Sequence, residues 1–390
     1  MAKYNMSFWN YVPTGTIDSE QAVQDWEKLG MNLAMSFSYD HKKHKKEDLI
    51  KMLDECQKKN IKVIICDRRT DFLMLTALKM SREDFEKGVQ EAVADFGSHP
   101  ATFGFHIGDE PRPEHFDDVI FAHKTVKAAD PNLTPFINLF PMWIDGGFEE
   151  AMGCKPQDYG IVLDKLVKEA GLEILCYDCY AQCCYFEKEK FQDVYFQNLQ
   201  IFGEVARANN IPLFTSLLSV GHWSLRCPNE DDFRWQLSTS TAMGVTGFAW
   251  FFIYERFLDG SFRTPPIDLF WEKTETFEWL SRQNRIFMKF IAPKLENYTW
   301  DCVKTVNMDI FHQERFKIGD FGITELKETI NENAPLMIAG FKGEADELFA
   351  IVNADRQYPT RIELTYMSNG KEQKATEWLS PGQMLTRRKI

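Results

Sequence analysis

Residues Ala101-Thr-Phe-Gly-Phe-His-Ile-Gly-Asp-Glu-Pro111 run from an apolar, strand-like segment into two adjacent carboxylates and a proline. Pro111 offers no N–H to a strand ladder and disfavours the right-handed helical region for the residue before it, so the strand stops and Glu110 sits at its carboxyl end. In parallel α/β proteins that end lines the ligand crevice, which makes Glu110 a candidate proton donor. Out of context, Asp109 and Glu110 equally suit a solvated turn or the cap of a helix after Pro113.

The flanking sequence supplies the context. Further strand-like segments begin near Tyr4, Met31, Ile61, Leu133, Leu172, Ile211 and Val245, and every strand is followed by a helical pattern. Asp18 and Ser19 open one helix, and Ser81 with Asp84 forms a capping-box-like pair before Phe85, Val89, Val93 and Phe96. The last helix is predicted from Ile267 to Phe290. Eight β-then-α units predict an α/β fold, a (β/α)8 TIM barrel. A doubly wound open sheet is disfavoured, because Trp9 to Gly15 is not the Gly-rich phosphate turn such a fold places after its first strand. After Pro293 the character changes to short strand-like runs, Trp300 to Ile310, Leu336 to Phe341, Glu347 to Ala354, Arg361 to Tyr366 and Lys374 to Leu379, with turn residues between them. A catalytic barrel over residues 1–296 and a small C-terminal antiparallel β-sandwich over 297–390 are therefore expected. No Ser/Gly linker separates them, so the sandwich should pack rigidly and support the barrel.

Composition narrows the partners. A net charge of -13, with no basic run longer than His41 to Lys46, argues against nucleic acid. No apolar run reaches membrane-spanning length, so no membrane partner is expected. Nine cysteines, an odd number scattered through strands and helices, suit a reducing compartment. The chain as written reads as cytoplasmic, or as secreted or periplasmic if a leader has been removed. Oligomeric state is not legible.

Polar and aromatic side chains gather at the predicted strand ends. These are Trp9 and Tyr11 on strand one, Tyr39 and Asp40 on two, Asp67 on three, and His106, Asp109 and Glu110 on four. Asn138 and Trp143 follow strand five, Asp178 and Tyr180 strand six, His222 and Trp223 strand seven, and Trp250, Tyr254 and Glu255 strand eight. Carboxylates ringed by aromatics are what glycoside cleavage needs: a protonated carboxyl for the leaving oxygen, a second carboxylate near the anomeric carbon, and flat rings for sugar faces. Trp143, Trp223 and Trp250 are the expected stacking surfaces, with Phe251 and Phe252 as barrel packing.

Phe103-Gly-Phe-His-Ile-Gly-Asp-Glu-Pro111 resembles the fourth-strand motif of clan A glycoside hydrolases, in which the Glu of an Asn-Glu or Asp-Glu pair is the general acid/base. Asp178-Cys-Tyr180 resembles the Asp-x-Tyr after the sixth strand in a loosely characterised bacterial group of sugar-hydrolase-like proteins that carries Asp-Glu-Pro. Phe233-Arg-Trp-Gln236 followed by Gly247-Phe-Ala-Trp250 resembles that group's seventh helix and eighth strand. The resemblance covers about residues 4 to 296. It implies cleavage of O-glycosidic bonds in an oligo- or polysaccharide, with Glu110 as general acid/base, a carbohydrate partner, and neither metal nor organic cofactor.

One departure bears on mechanism. The clan pattern ends strand seven with a nucleophilic Glu, whereas Ile211 to Trp223 carries no carboxylate. Asp178, Glu255 or Asp67 could be the second carboxylate, or there is none; Asp178, paired with Tyr180 on one side of its strand, ranks ahead of Glu255. A carbohydrate-binding or degenerate protein is the alternative reading, and a metal-dependent isomerase or lyase on the same barrel is a third. Cys176, Cys179, Cys183 and Cys184 could suggest a thiolate metal site but read more naturally as small core residues. His41 and His44 read as solvated.

Overall fold

The computed structural model of the chain describes residues 2–143, 147–184, 188–256, 261–310 and 312–389. Eight parallel strands alternate with eight helices: β1 Asn5–Phe8, α1 Ser19–Lys28, β2 Leu33–Met35, α2 Lys46–Lys58, β3 Lys62–Ile65, α3 Arg82–Phe96, β4 Thr102–Asp109 and α4 Phe116–Ala129. β5 Thr134–Leu139, α5 Tyr159–Ala170, β6 Leu175–Asp178, α6 Lys188–Ala208, β7 Leu213–Leu218, α7 Glu230–Ala242, β8 Gly247–Phe251 and α8 Glu275–Ile286 complete the set. The ladders run β1-β8-β7-β6-β5-β4-β3-β2. Asn32 closes the ring between β1 and β2: its N–H donates to Met6 O at 3.2 Å and its Oδ1 accepts from Met6 N at 2.7 Å. The predicted TIM barrel is therefore present.

Strand alternation divides the apolar residues into two cores. Trp9, Leu33, Met35, Ile64, Phe136, Cys176, Phe214, Leu218 and Ala249 fill the barrel interior. Met6, Phe8, Val63, Ile65, Ile137, Tyr177, Leu217, Phe248 and Trp250 point outward to the helices. The last helix begins later than predicted. Ile267 instead bridges to Tyr254 and Lys273 in an irregular turn, and α8 starts only at Glu275.

The C-terminal strands form the expected sandwich, with three strands beyond those predicted. A five-stranded sheet runs in the order β10 Glu314–Arg315, β9 Thr299–Val306, β12 Leu336–Lys342, β13 Glu347–Asn353, β16 Met384–Lys389. A three-stranded sheet has β11 Ile323–Glu328, β14 Thr360–Ser368 and β15 Lys371–Leu379. β12 is apolar on both faces. Leu336 and Ile338 face the second sheet together with Ile323, Ile362, Leu364 and Leu379. Met337, Ala339 and Phe341 join the same core as the barrel helices.

Directional bonds reinforce this joint. Trp235 Nε1 on α7 donates to Ala354 O at 2.6 Å, Trp300 Nε1 to Ala242 O at 2.7 Å, and Arg234 Nε to Pro381 O at 2.7 Å. Gly382, at φ +69°, lies so close to α7 that a Cβ there would be 2.4 Å from Trp235 Cα. Among the described residues no helix is long and apolar enough to cross a membrane.

Producing residues 1–296 alone would bare the outer face of α7 and the apolar surface that β12 and β13 cover. The expected product is insoluble or inactive barrel, measured by soluble yield and circular dichroism melting. A soluble, cooperatively melting and active fragment would show the sandwich to be dispensable.

Candidate active site

The end of β4 is shaped by backbone before side chains. A bulge interrupts its pairing with β5 between His106 and Gly108. Gly108 has φ +146°, and a Cβ there would sit 2.1 Å from the Phe72 ring, so no other residue fits that turn. Pro111 keeps Glu110 out of the right-handed region, and the backbone turns to φ 42° while Glu110 N donates to Asn138 O at 2.9 Å. A positive φ in a non-glycine residue costs about 1–2 kcal/mol and is retained where the surroundings over-determine it, which is common at functional sites.

The carboxyls of β4 and β6 meet at this point. Asn138, inside β5, donates one amide hydrogen to Asp109 Oδ1 at 2.9 Å and the other to Asp178 Oδ1 at 2.7 Å. Glu110 and Asp178 lie close enough that each acts on the other's proton affinity. Burial, then the charges of Asp178 and Asp109, then the bond to Asp178 raise the proton affinity of Glu110 far above the usual carboxylate range. Burial and Asp109 raise that of Asp178 as well, while the bonds from Asn138 and Glu110 act against the rise. Both carboxyls are raised, Glu110 the further, so Glu110 is the one that keeps its proton to the higher pH.

Two further carboxyls border the pair. Asp109 is exposed to solvent on one side, and the surrounding atoms push its proton affinity upward against the hydrogen bond from Asn138 and the charge of Arg256. Asp71, which accepts from Leu73 N at 2.9 Å, is pushed up to about 6 by burial, with the charge of Asp109 adding to the shift.

Aromatic rings wall the cluster. Trp9 hangs from Ser216 Oγ by its indole N–H at 2.7 Å, stacks on Tyr11 at 6.3 Å and meets His106 edge-on at 5.6 Å. Tyr180 stacks on Phe251 at 5.1 Å, and Phe251 and Phe252, joined by a cis peptide, both turn edges to Tyr11. His222 lies between Trp223 at 4.0 Å and Phe262 at 4.5 Å, with its Nδ1 3.2 Å from Ser261 Oγ. Trp223 is 70% exposed at the rim, available for stacking. His106 has a buried Nε2 with no partner, and burial lowers its proton affinity to about 4, so it stands neutral beneath the site.

Several residues predicted from their place at strand ends lie elsewhere. Trp250 points outward against Phe233 and donates to Asn284 Oδ1 at 3.0 Å. Tyr254 accepts from Trp26 Nε1 at 2.7 Å behind the barrel wall. Tyr39 packs on Phe96 at 5.1 Å, and Asp40 pairs with Arg68 at 3.0 Å. Asp67 is engaged by Arg69, at 2.7 Å to Nη2, on the side of α3. Glu255 accepts from Leu269 N at 3.1 Å and is not among the charges that act on Glu110 or Asp178. Trp143 packs half-buried against the helical layer. For the outward-pointing residues the reason is alternation: with Ala249 inside, Trp250 must be outside and Phe251 inside, so the strand's parity could have exchanged Trp250 for Phe251. Arg256, Asp71 and Phe262 were missed because they follow the strands in irregular loops.

The clustered cysteines behave as packing. All nine thiols are free. Cys176 faces the barrel interior, and burial raises it and Cys179 well above the usual thiol range and Cys183 up to about 12. Among the described residues no His, Cys, Asp and Glu group has the geometry to hold a metal ion.

No protein-family model and no curated protein matches the sequence. Solved structures match in fold. One described as a glycoside hydrolase superposes with TM-score 0.58 at 9% identity, over 98% of this chain and 91% of its own. The β-galactosidase of the psychrophilic Marinomonas ef1 gives 0.56 at 11% identity over 75% of this chain, and that of the Antarctic haloarchaeon Halorubrum lacusprofundi 0.54 at 11% over 74%. This chain spans 62% and 58% of the length of those two galactosidases. It thus has the fold of (β/α)8 glycoside hydrolases.

The raised proton affinity of Glu110 has a stability consequence of definite sign. Below the ordinary carboxylate range both folded and unfolded chains hold its proton. As pH rises past that range the unfolded chain ionises first, and the fold loses stability until the raised value is passed. Glu110→Gln removes this loss. Its melting temperature should exceed that of the parent by roughly 2–4 °C at pH 8 and by less at pH 4.5. An identical difference at both pH values would mean that the proton affinity of Glu110 is not raised.

Proposed function

We propose that the chain is a glycoside hydrolase that cleaves an O-glycosidic bond of an oligo- or polysaccharide with Glu110 as general acid/base. The observation that carries this reading is the neighbouring Glu110 and Asp178 carboxyls, both raised in proton affinity and joined through Asn138 to Asp109, at the strand-end mouth of a barrel walled by aromatic rings. Glu110 holds its proton at neutral pH and can pass it to the glycosidic oxygen as the C1–O bond breaks. The resulting carboxylate can then take a proton from the incoming water. Asp178, fixed by Asn138, is the second carboxyl, and its ionised form faces the positive charge developing at the anomeric carbon.

Catalytic carboxyls stand about 5–5.5 Å apart in retaining enzymes and about 6.5–9.5 Å in inverting ones. Tyr180 stacked on Phe251, and Trp223 at the rim, would supply the sugar faces. Nine free thiols suit work in a reducing compartment.

A second reading, a sugar-binding protein without turnover, is favoured by one feature. The end of β7 has no carboxylate, and its serines are committed: Ser216 Oγ accepts from Trp9 Nε1 at 2.7 Å and Ser219 Oγ donates to Phe252 O at 2.7 Å.

Assay of α- and β-aryl glycosides with the parent, Glu110→Gln and Asp178→Asn separates the readings. Turnover should fall by about 10²–10⁴-fold in each variant. The parent's pH profile should be a bell with both limbs above the ordinary carboxylate range, since both affinities are raised. Sugar binding by calorimetry without turnover would favour the second reading. Full activity of Asp178→Asn would remove Asp178 from the mechanism.

A further inference from the structure

The Arg256 guanidinium lies 3.7 Å over the ring centre of Tyr11, with the rings of Phe252 and Phe262 at 5.9 and 5.7 Å. It makes no hydrogen bond and no ion pair among the described residues, so its five N–H donors are unspent while one of its faces is fixed by the aromatic platform. Its setting is unusual for this chain, in which Asp and Glu outnumber Lys and Arg by 58 to 45. Three arginines near this end of the barrel are, by contrast, paired with carboxylates: Arg68 with Asp40, Arg69 with Asp67 and Asp95, and Arg226 with Asp232.

Arg256 belongs to the site by position. Tyr11 stacks on Trp9, and the positive charge of Arg256 lowers the proton affinities of both Tyr11 and Asp109. Among the described residues Arg256 is the cation whose charge acts on this carboxyl cluster, through Asp109. Were its task to neutralise Asp109, a direct ion pair would be the natural geometry. Asp109 instead takes its hydrogen bond from Asn138, and the guanidinium fork stays open.

From this arrangement we infer that Arg256 is a specificity residue for an anionic sugar, one whose carboxylate or sulfate ester it binds through the open fork. A planar fork held on a ring matches a carboxylate bidentately, so a uronic acid is the favoured form. Such a cation would also offset the repulsion that Asp109 and Asp178 exert on an anionic substrate. The inference rests on the glycosidase reading and extends it to a substrate class.

The test compares p-nitrophenyl glucuronides and galacturonides, both anomers, with the matching glucosides and galactosides and their 6-sulfated forms. In the parent, kcat/KM for an anionic substrate should exceed that for its neutral counterpart by at least about tenfold, the range of a charge-assisted hydrogen bond. Arg256→Gln should bring this ratio near one, and Arg256→Lys, which keeps the charge without the fork, should leave it in between. A preference for the sulfated sugar over the uronide would identify the anion as sulfate. Equal turnover of neutral and anionic substrates by the parent, or an equal loss on both in Arg256→Gln, overturns the assignment and leaves the role of Glu110 standing. Absence of turnover, together with absence of uronic-acid and neutral-sugar binding to Glu110→Gln in calorimetry, overturns both. Uronic-acid binding without turnover supports Arg256 and removes the catalytic reading.

Discussion

The two hydrogens of the Asn138 amide go to two carboxylates on different strands, and the chemistry of the barrel mouth depends on that division. By holding Asp109 and Asp178 at 2.9 and 2.7 Å, Asn138 stabilises the ionised form of each, and the proton that the cluster must keep is left to Glu110. Some proton must be kept. Two unit charges about 4 Å apart repel by about 4 kcal/mol at an effective dielectric of about 20, and several carboxyls packed into one cleft cannot all ionise at that cost. Glu110, whose proton affinity is raised the furthest, stays neutral to the highest pH, and acid chemistry needs one such carboxyl.

Most of the framework was legible in the sequence because hydrophobic period and helix caps are local signals. Each of the eight barrel strands begins within a few residues of its predicted start, and helices such as α3, capped by Ser81, follow the expected order. β11 and β16 were missed because Ile323-Thr-Glu-Leu-Lys-Glu328 and Met384-Leu-Thr-Arg-Arg-Lys389 place charges along edges where only alternate residues are buried. The beginning of α8 was misjudged because Ile267 is buried by bridges in a turn rather than by a helix face. Burial alone does not reveal which element achieves it.

The site was legible to the level of residues but not of orientation. Position at a strand end brought out Trp9, Tyr11, Asp109, Glu110, Asn138, Asp178, Tyr180, His222 and Trp223, all of which the structure gathers at one mouth. It also brought out Trp250, which alternation turns outward, and Tyr254, Tyr39 and Asp67, which follow their strands and pack against the helical side. The bulge in β4 shows why parity is hard to carry forward: one added residue exchanges the two faces, and nothing in the composition of His106-Ile-Gly108 announces it. The Glu110–Asp178 pairing was expected from the Asp178-Cys-Tyr180 unit at the end of strand six, and it is realised because the barrel brings β4 and β6 to either side of β5.

A cluster of like charges, a positive φ at Glu110 and an unpartnered His106 nitrogen all destabilise the mouth, so stability must come from elsewhere in the fold. The barrel's other end and flank supply it through the apolar joint with β12 and the Trp235 and Trp300 indole bonds. The sandwich also reaches the mouth directly. Arg356, lying over the Trp235 ring at 4.6 Å, donates to Gln182 O in the loop that follows Asp178 and Tyr180. Gln182 Nε2 in turn donates to Gln236 Oε1 at 2.9 Å, and that oxygen also accepts from Leu218 N at the end of β7 at 2.9 Å. The strand ends of β6 and β7 are therefore tied to each other and to the sandwich by one connected set of hydrogen bonds. A domain without a carboxyl in the site thus helps to fix the backbone from which Asp178 and Tyr180 project, and its role extends from holding the barrel together to holding the second carboxylate in place.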